Sequence, residues 1–111
     1  MVTDLRLTDD EVDRVFRALA DATRRDILRR ALTGAASVSQ LAAAYDMSFA
    51  AVQKHVAVLE KAGLVTKEPV GRERLVRGDP AMIRKAQGLL DRYEQIWRHR
   101  IDQLDALLVE D

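Results

Sequence analysis

Residues 37–65, SVSQLAAAYDMSFAAVQKHVAVLEKAGLV, decide the fold. Ser37-Val38-Ser39-Gln40 reads as a capping box, in which the Ser37 oxygen accepts the Gln40 amide while the Gln40 side chain reaches back to the Ser37 amide. A short helix, Val38–Tyr45, is expected to follow, with Leu41 and Ala42 turned inward. Asp46-Met47 makes a turn, Ser48 caps a longer helix that runs to Ala62, and Gly63 stands at the C′ position, where a left-handed residue is usual. Two helices joined by so short a turn form a helix-turn-helix candidate at about residues 38–62.

At about 100° per residue, the second helix sorts its side chains into two arcs. Val52, Val56 and Leu59 face a core, while Phe49, Ala50, Gln53, Lys54 and Ala57 face away from it. The outer arc, with Ser48 before it, offers an aromatic edge, small residues, an amide able to bond adenine bidentately and a cation. They lie near the N-terminal half, the part of such a helix that enters the major groove. Outward Gln and Lys are also what any amphipathic surface helix carries. The capped helix before it, the glycine after it and a basic hairpin downstream are what turn the reading toward nucleic acid. His55 falls between the arcs and reads as a packing or hydrogen-bonding residue, because a metal site needs several convergent ligands.

Downstream, Leu64–Val70 and Arg74–Arg77 are β-compatible stretches flanking Gly71-Arg72-Glu73, which predicts a hairpin, or wing, at about residues 64–77. Arg72 at its tip is placed on phosphates or in a minor groove. Arg74 and Arg77 either join it or are solvated strand residues paired with Glu68 or Glu73. Upstream, Thr8-Asp9-Asp10-Glu11 is a second capping box opening a helix with Val12, Val15, Phe16 and Leu19 at helical spacing. Asp21 then caps Thr23–Leu32, with Ile27, Leu28 and Ala31 apolar and Gly34 closing it. Arg24, Arg25 and Lys61 are further candidates for phosphate contact, although cations on helix surfaces are more often simply solvated.

Asp79-Pro80 opens a last helix that runs to about Leu108. Ile83, Ala86, Leu90, Tyr93, Trp97, Ile101, Leu104 and Leu108 recur at alternating three- and four-residue steps, and Met82, Leu89, Ile96 and Leu107 widen the stripe. Such a helix, about 40 Å long, outreaches the rest of a small domain. Ile83–Leu90 is expected to pack internally. Trp97, Ile101, Leu104 and Leu108, with Val12, Val15 and Phe16 of the first helix, are expected to form a two-fold dimer interface. The pair would present reading helices roughly 34 Å apart and calls for a near-palindromic operator.

The 111 residues fit one domain spanning 1–111. With 48% apolar and 32% charged residues, two prolines and five glycines, the chain has the profile of a folded, mostly helical protein. Its zero net charge conceals an asymmetry: residues 14–77 carry 12 Lys/Arg against 6 Asp/Glu, residues 1–13 carry 1 against 5, and residues 78–111 carry 5 against 7. Positive charge therefore gathers around the helix-turn-helix and the wing. Cysteine is absent, which removes disulfides and thiolate metal sites. Met1–Asp4 begins acidic, without the features of a signal peptide, and no stretch approaches a membrane span, so a cytoplasmic protein with no membrane partner is expected. No Ser/His/Asp grouping, phosphate-cradling glycine loop or carboxylate pair stands out; neither an enzyme nor a cofactor is expected.

Residues 16–28, FRALADATRRDIL, and 51–65, AVQKHVAVLEKAGLV, resemble the arsenic-repressor (ArsR) family of winged-helix regulators, and the similarity runs from Val15 to about Leu108. The resemblance implies a mainly α fold with a small β-hairpin and a homodimeric repressor that binds double-stranded DNA. Many such repressors release DNA on binding a metal or metalloid. The Cys-x-Cys of metal-sensing members falls on Ser37 and Ser39, whose hydroxyls cannot replace soft ligands, and only His99 and Asp102 echo the zinc pattern of the last helices. Metal sensing is not expected. Tyr93, Trp97 and Arg100-Ile101 resemble a subgroup without metal ligands. Ala22 stands where proline is common, Gln53 where serine is common, and Val76 where an aromatic often sits; Gln53, on the reading face, implies a different operator.

The reading is a sequence-specific transcriptional regulator, a homodimeric repressor with its own operon as one target. The alternative is a winged-helix protein-interaction adaptor that binds no DNA, for which Phe49 alone supplies an exposed aromatic. A small-molecule effector between the last helices near Trp97 is compatible with the first reading, and its identity is unknown.

Overall fold

A computed structural model describes residues 6–109. Met1–Asp4, on which the leader reading rests, and Glu110 and Asp111 of the 1–111 span lie outside the described residues. The elements are α1 (Asp9–Leu19), α2 (Ala22–Thr33), β1 (Ala36–Ser37), α3 (Val38–Ala43), α4 (Phe49–Lys61), β2 (Val65–Val70), β3 (Glu73–Gly78) and α5 (Pro80–Val109).

The helix starts follow from their caps. In the Thr8 box, Glu11 N–H donates to Thr8 Oγ1 at 3.2 Å and Thr8 N–H to Glu11 Oε1 at 2.9 Å. In the Ser37 box the matching distances are 3.1 Å from Gln40 N–H to Ser37 Oγ and 2.8 Å from Ser37 N–H to Gln40 Oε1. Asp21 caps α2 through Arg24 N–H at 3.0 Å, and Ser48 caps α4 through Ala51 N–H at 3.1 Å. Helix α4 ends in a Schellman motif: Leu64 N–H reaches Leu59 C=O at 3.0 Å, Gly63 N–H reaches Glu60 C=O at 2.9 Å, and Gly63 takes a φ of 78°.

One core joins these elements. Val15 and Ala18 of α1, Ile27, Leu28 and Ala31 of α2, Leu41 of α3, and Val52, Val56 and Leu59 of α4 pack with Leu64, Val65, Val76 and Ala86. Val15 is 0% exposed. It serves the protomer's own core, which corrects the expectation that it faces a second chain; Val12 and Phe16 on the same helix stay accessible.

The sheet also departs from the expected hairpin. It has three antiparallel strands in the order β1-β3-β2, because Ala36 and Ser37 pair with Val76 and Leu75 before α3 begins. Strand β3 starts at Glu73, which pairs with Val70, so the turn is the two residues Gly71-Arg72 rather than three. Gly71 has a φ of 62° while no non-glycine among the described residues has positive φ, the pattern of a type II′ turn, whose twist suits the flanking strands.

Helix α5 buries only Ala86 fully. Met82 and Ile83 pack against the core, but Leu90, Tyr93, Ile96, Trp97, Leu104, Leu107 and Leu108 are exposed, Trp97 at 61% and Leu108 at 82%. The radius of gyration is 19.0 Å, against about 13 Å for a compact chain of this length.

Two glycines are expected to resist substitution. A Cβ on Gly63 would require a left-handed alanine and lie 3.0 Å from Met82 Cε, so Gly63→Ala should cost about 1–2 kcal/mol. A Cβ on Gly78 would lie 2.4 Å from Leu32 Cδ2, so Gly78→Ala should cost about 1–3 kcal/mol by overpacking. Urea denaturation checks both, and wild-type midpoints would contradict this account of the packing.

Candidate nucleic-acid interface

The outer arc of α4 is open to solvent. Ser48, Phe49, Ala50, Gln53, Lys54 and Ala57 are exposed, Phe49 at 47%, while Val52, Val56 and Leu59 on the opposite arc are at most 1% exposed. The Ser48 oxygen is engaged by the cap, which leaves its O–H free to donate. The start of the helix, where unpaired N–H groups favour an anion, sits beside Phe49 and Ala50.

Arg72 occupies the wing tip and is exposed, as is Arg74 on β3. Among the described residues Lys54, Arg72 and Arg74 take part in no ion pair, whereas Arg77 Nε meets Glu68 Oε2 at 3.1 Å. Arg77 is thus the wing arginine with a carboxylate partner, one of the two pairings the sequence left open.

The other basic candidates are placed differently. Arg24 donates from Nε to Ala18 C=O and from Nη2 to Arg17 C=O, both at 2.9 Å, and Arg25 donates from Nη1 to Leu19 C=O at 2.8 Å. Both guanidinium groups therefore cap the C-terminal end of α1, where carbonyls lack helical partners and a cation suits the dipole. Lys61 lies at the far end of α4, roughly 18 Å along the axis from Phe49. It lines a hollow with Asp10, Asp13, Arg14, Arg17 and Val58. The structure gathers Ser48, Phe49, Ala50, Gln53 and Lys54 on one surface and leaves Lys61 apart from it.

The turn before α4 has a clamp that sequence reasoning missed. Asp26 on α2 accepts from Arg29 Nη2 at 2.6 Å, Arg30 Nε at 2.9 Å and the Tyr45 hydroxyl at 2.5 Å. The Arg30 guanidinium also lies 5.6 Å from the centre of the Tyr45 ring. The hydrogen bond from Arg30, then those from Tyr45 and Arg29, hold the Asp26 carboxyl well below the usual carboxylate range. Burial, with the bond to Asp26, pushes the Tyr45 phenol up to about 12. The clamp fastens α2 to the turn that aims α4. Its one sequence signal was an aspartate with arginines three and four residues ahead on the same helix face.

Among the described residues no group of three or more His, Asp or Glu side chains could hold a metal, and no helix is long and apolar enough to cross a membrane. The last-helix residues Trp97, Leu104 and Leu108 are exposed and Ile101 half-buried.

Comparison with known proteins adds family context. A helix-turn-helix domain model matches residues 19–68. The HTH-type transcriptional regulator Rv2034 of Mycobacterium tuberculosis is 40% identical over 81 residues, 73% of this chain and 76% of its own length. Among solved structures, an ArsR-like transcriptional regulator from Rhodococcus sp. RHA1 aligns with a TM-score of 0.82 at 33% identity, covering 89% of this chain and 91% of that one. The homodimeric winged helix-turn-helix DNA-binding domain of a possible ArsR-family regulator from Mycobacterium bovis aligns with a TM-score of 0.63 at 24% identity, over 86% and 92%, a likeness of fold alone.

The clamp makes stability depend on pH in a defined sense. Because the folded-state pKa of Asp26 is depressed, its contribution is complete above the unfolded carboxylate value of about 4 and is lost as pH falls toward the lower folded value. Wild type should therefore exceed Asp26→Asn in stability at pH 7, and the gap should narrow below pH 4. Tyr45→Phe should cost about 1 kcal/mol at pH 7. Urea denaturation across that range reads both effects, and a gap independent of pH would contradict the assignment.

Proposed function

The chain belongs to the ArsR family of winged helix-turn-helix transcriptional regulators, and from that premise we propose that it is a homodimeric, sequence-specific repressor of promoters with near-palindromic operators. The observation that carries the reading is the two-sided α4, seated by Val52, Val56 and Leu59 and bare along Phe49, Ala50, Gln53 and Lys54. In this proposal Gln53 and Lys54 read base edges, Phe49 and Ala50 meet thymine methyls or the groove wall, and Ser48 meets a phosphate. Arg72 and Arg74 follow the backbone from the wing.

The dimer reading is supported by the uncovered stripe of α5. Trp97, Leu104 and Leu108, with half-buried Ile101, form an apolar stripe on an arm that the protomer leaves largely uncovered, and Val12 and Phe16 of α1 are proposed to join it in the dimer. A second copy covers it with a self-complementary interface and sets two reading helices on one face of a duplex. Repression follows from occupying the promoter without any catalytic step, in a single-domain cytoplasmic protein. Autoregulation adds its own upstream region as a target.

Gel shifts on that region and on selected genomic fragments, over a salt series, test the proposal. Binding should weaken steeply as salt rises. Lys54→Ala and Arg72→Ala should lower affinity, with Arg72→Ala acting on all sequences and reducing the salt slope by about one, while Gln53→Ala should change base preference by about 1–3 kcal/mol at one position. A flat salt response, or no DNA binding together with capture of a protein through Phe49, would favour an adaptor instead.

Light scattering should give a dimer mass for the wild type. Pairing Trp97→Glu with Ile101→Asp should give a folded monomer of at least tenfold lower operator affinity. A wild-type monomer would remove the two-fold reading.

A further inference from the structure

Arg24 does more than cap α1. Its third nitrogen, Nη1, lies 3.3 Å from Nδ1 of His55, in the middle of α4 and 31 residues away in sequence. A guanidinium can only donate, so His55 Nδ1 accepts and the ring carries its proton on Nε2. The backbone N–H of Arg24 is itself held by the Asp21 carboxylate at 3.0 Å. One planar fork thus joins the end of α1, the start of α2 and the centre of α4.

We propose that Arg24 is a positioning residue for DNA binding, which acts through His55 to fix the tilt of the reading helix relative to α1. This rests on the DNA-binding reading given above. Helix α1 carries Val12 and Phe16 of the proposed dimer layer, so the angle between α1 and α4 sets where the two reading helices of a dimer fall. His55 stands between the buried Val52 and Val56 and the outward Gln53 and Lys54, at a natural pivot. A tilt of about 10° about it displaces the Phe49 end, six residues away, by about 1.5 Å. That exceeds the tolerance of a bidentate base contact. The planar, preorganised guanidinium suits the task, since a lysine ammonium cannot address three divergent acceptors in one plane. The fork also explains why Arg24, within the basic central segment of the chain, is not spread on the surface: it is half-buried, with three of its nitrogens engaged.

The test sets Arg24→Lys, Arg24→Gln, His55→Leu, His55→Gln and the Arg24→Lys/His55→Leu pair against wild type on one operator fragment, with thermal melts of each. Arg24→Lys keeps the charge, so positioning predicts at least tenfold weaker binding with an unchanged salt slope. A phosphate contact instead predicts near-normal binding for Arg24→Lys and a slope smaller by about one for Arg24→Gln, and that result would overturn the proposal. The double variant should bind no more weakly than the poorer single, and His55→Gln, which retains an acceptor, should recover most of the affinity lost in His55→Leu. Additive losses would overturn the proposal.

A readout without DNA separates this idea from the reading it rests on. Nitrogen NMR of His55 in the free wild-type protein should show the Nε2–H tautomer with an accepting Nδ1, and Arg24→Lys should shift the Nδ1 signal. A His55 signal indifferent to Arg24 sinks the bridge even in a DNA-binding protein, whereas a responsive His55 in a protein that binds no DNA leaves the bridge standing and sinks the DNA-binding reading together with the positioning role. Should Arg24→Lys fail to fold, His55→Leu carries the affinity and salt comparison by itself.

Discussion

The stripe of Val52, Val56 and Leu59 along α4 is the contact on which the other features depend. A helix of 13 residues has little stability alone, and this one is held by burying that stripe against α1, α2 and α3. Burial of one side dictates exposure of the other. Nothing else brings Gln53 and Lys54 to the surface; they are outward because Val52 and Val56, on either side of them in the chain, are inward. Each such side chain stabilises the fold by about 1.5–3 kcal/mol, so the seat is firm enough to hold a polar face in a fixed direction.

Holding a direction takes more than burial, since apolar contact is non-directional. Directed contacts fix the helix at three places. At its start, the Asp26 clamp holds Tyr45 and so the turn that feeds Ser48. In its middle, Arg24 reaches His55. At its end, Gly63 turns the chain into β2, where Leu64 C=O also accepts Asp79 N–H at 2.8 Å and thereby fastens the start of α5 to the end of α4. Strand β3 does similar work for the wing: lying between β1 and β2, it ties the tip at Arg72 to the residues just before α3.

What the sequence made legible is what local geometry decides. The boxes at Thr8 and Ser37 depend on residues three apart, and the two arcs of α4 depend on a period of 3.6, so both could be read directly. The accessible arc from Ser48 to Lys54 came from the same period. Strand β1 has two residues and therefore no period to detect. The Asp26–Tyr45 and Arg24–His55 contacts span 19 and 31 residues, and nothing local announces which distant side chains will meet. Read locally, Arg24 is for that reason a candidate phosphate contact on a helix surface, with no sign of its His55 partner. Val15 failed differently. Periodicity identifies the apolar face of α1, but Val12, Val15 and Phe16 all lie on it, and only the packed structure shows that Val15 is turned into the protomer while its neighbours remain accessible.

Helix α5 places core and proposed interface on one continuous surface. Counting from Ala86 at about 100° per residue, Tyr93, Trp97 and Leu104 return to within about 20° of its direction. The stripe that enters the protomer's core at Ala86 is therefore the stripe left bare on the arm beyond Leu89. A partner that covers the arm extends an existing core and does not build a separate patch, so dimer formation and the seating of the domain share one apolar seam. The cations Arg84 and Arg92, with Gly88 between them, fall on the far side of the helix and stay clear of it. Helix α1 packs against α2 and α4, with Val15 in the core and the carbonyls of Arg17 and Ala18 on the Arg24 fork.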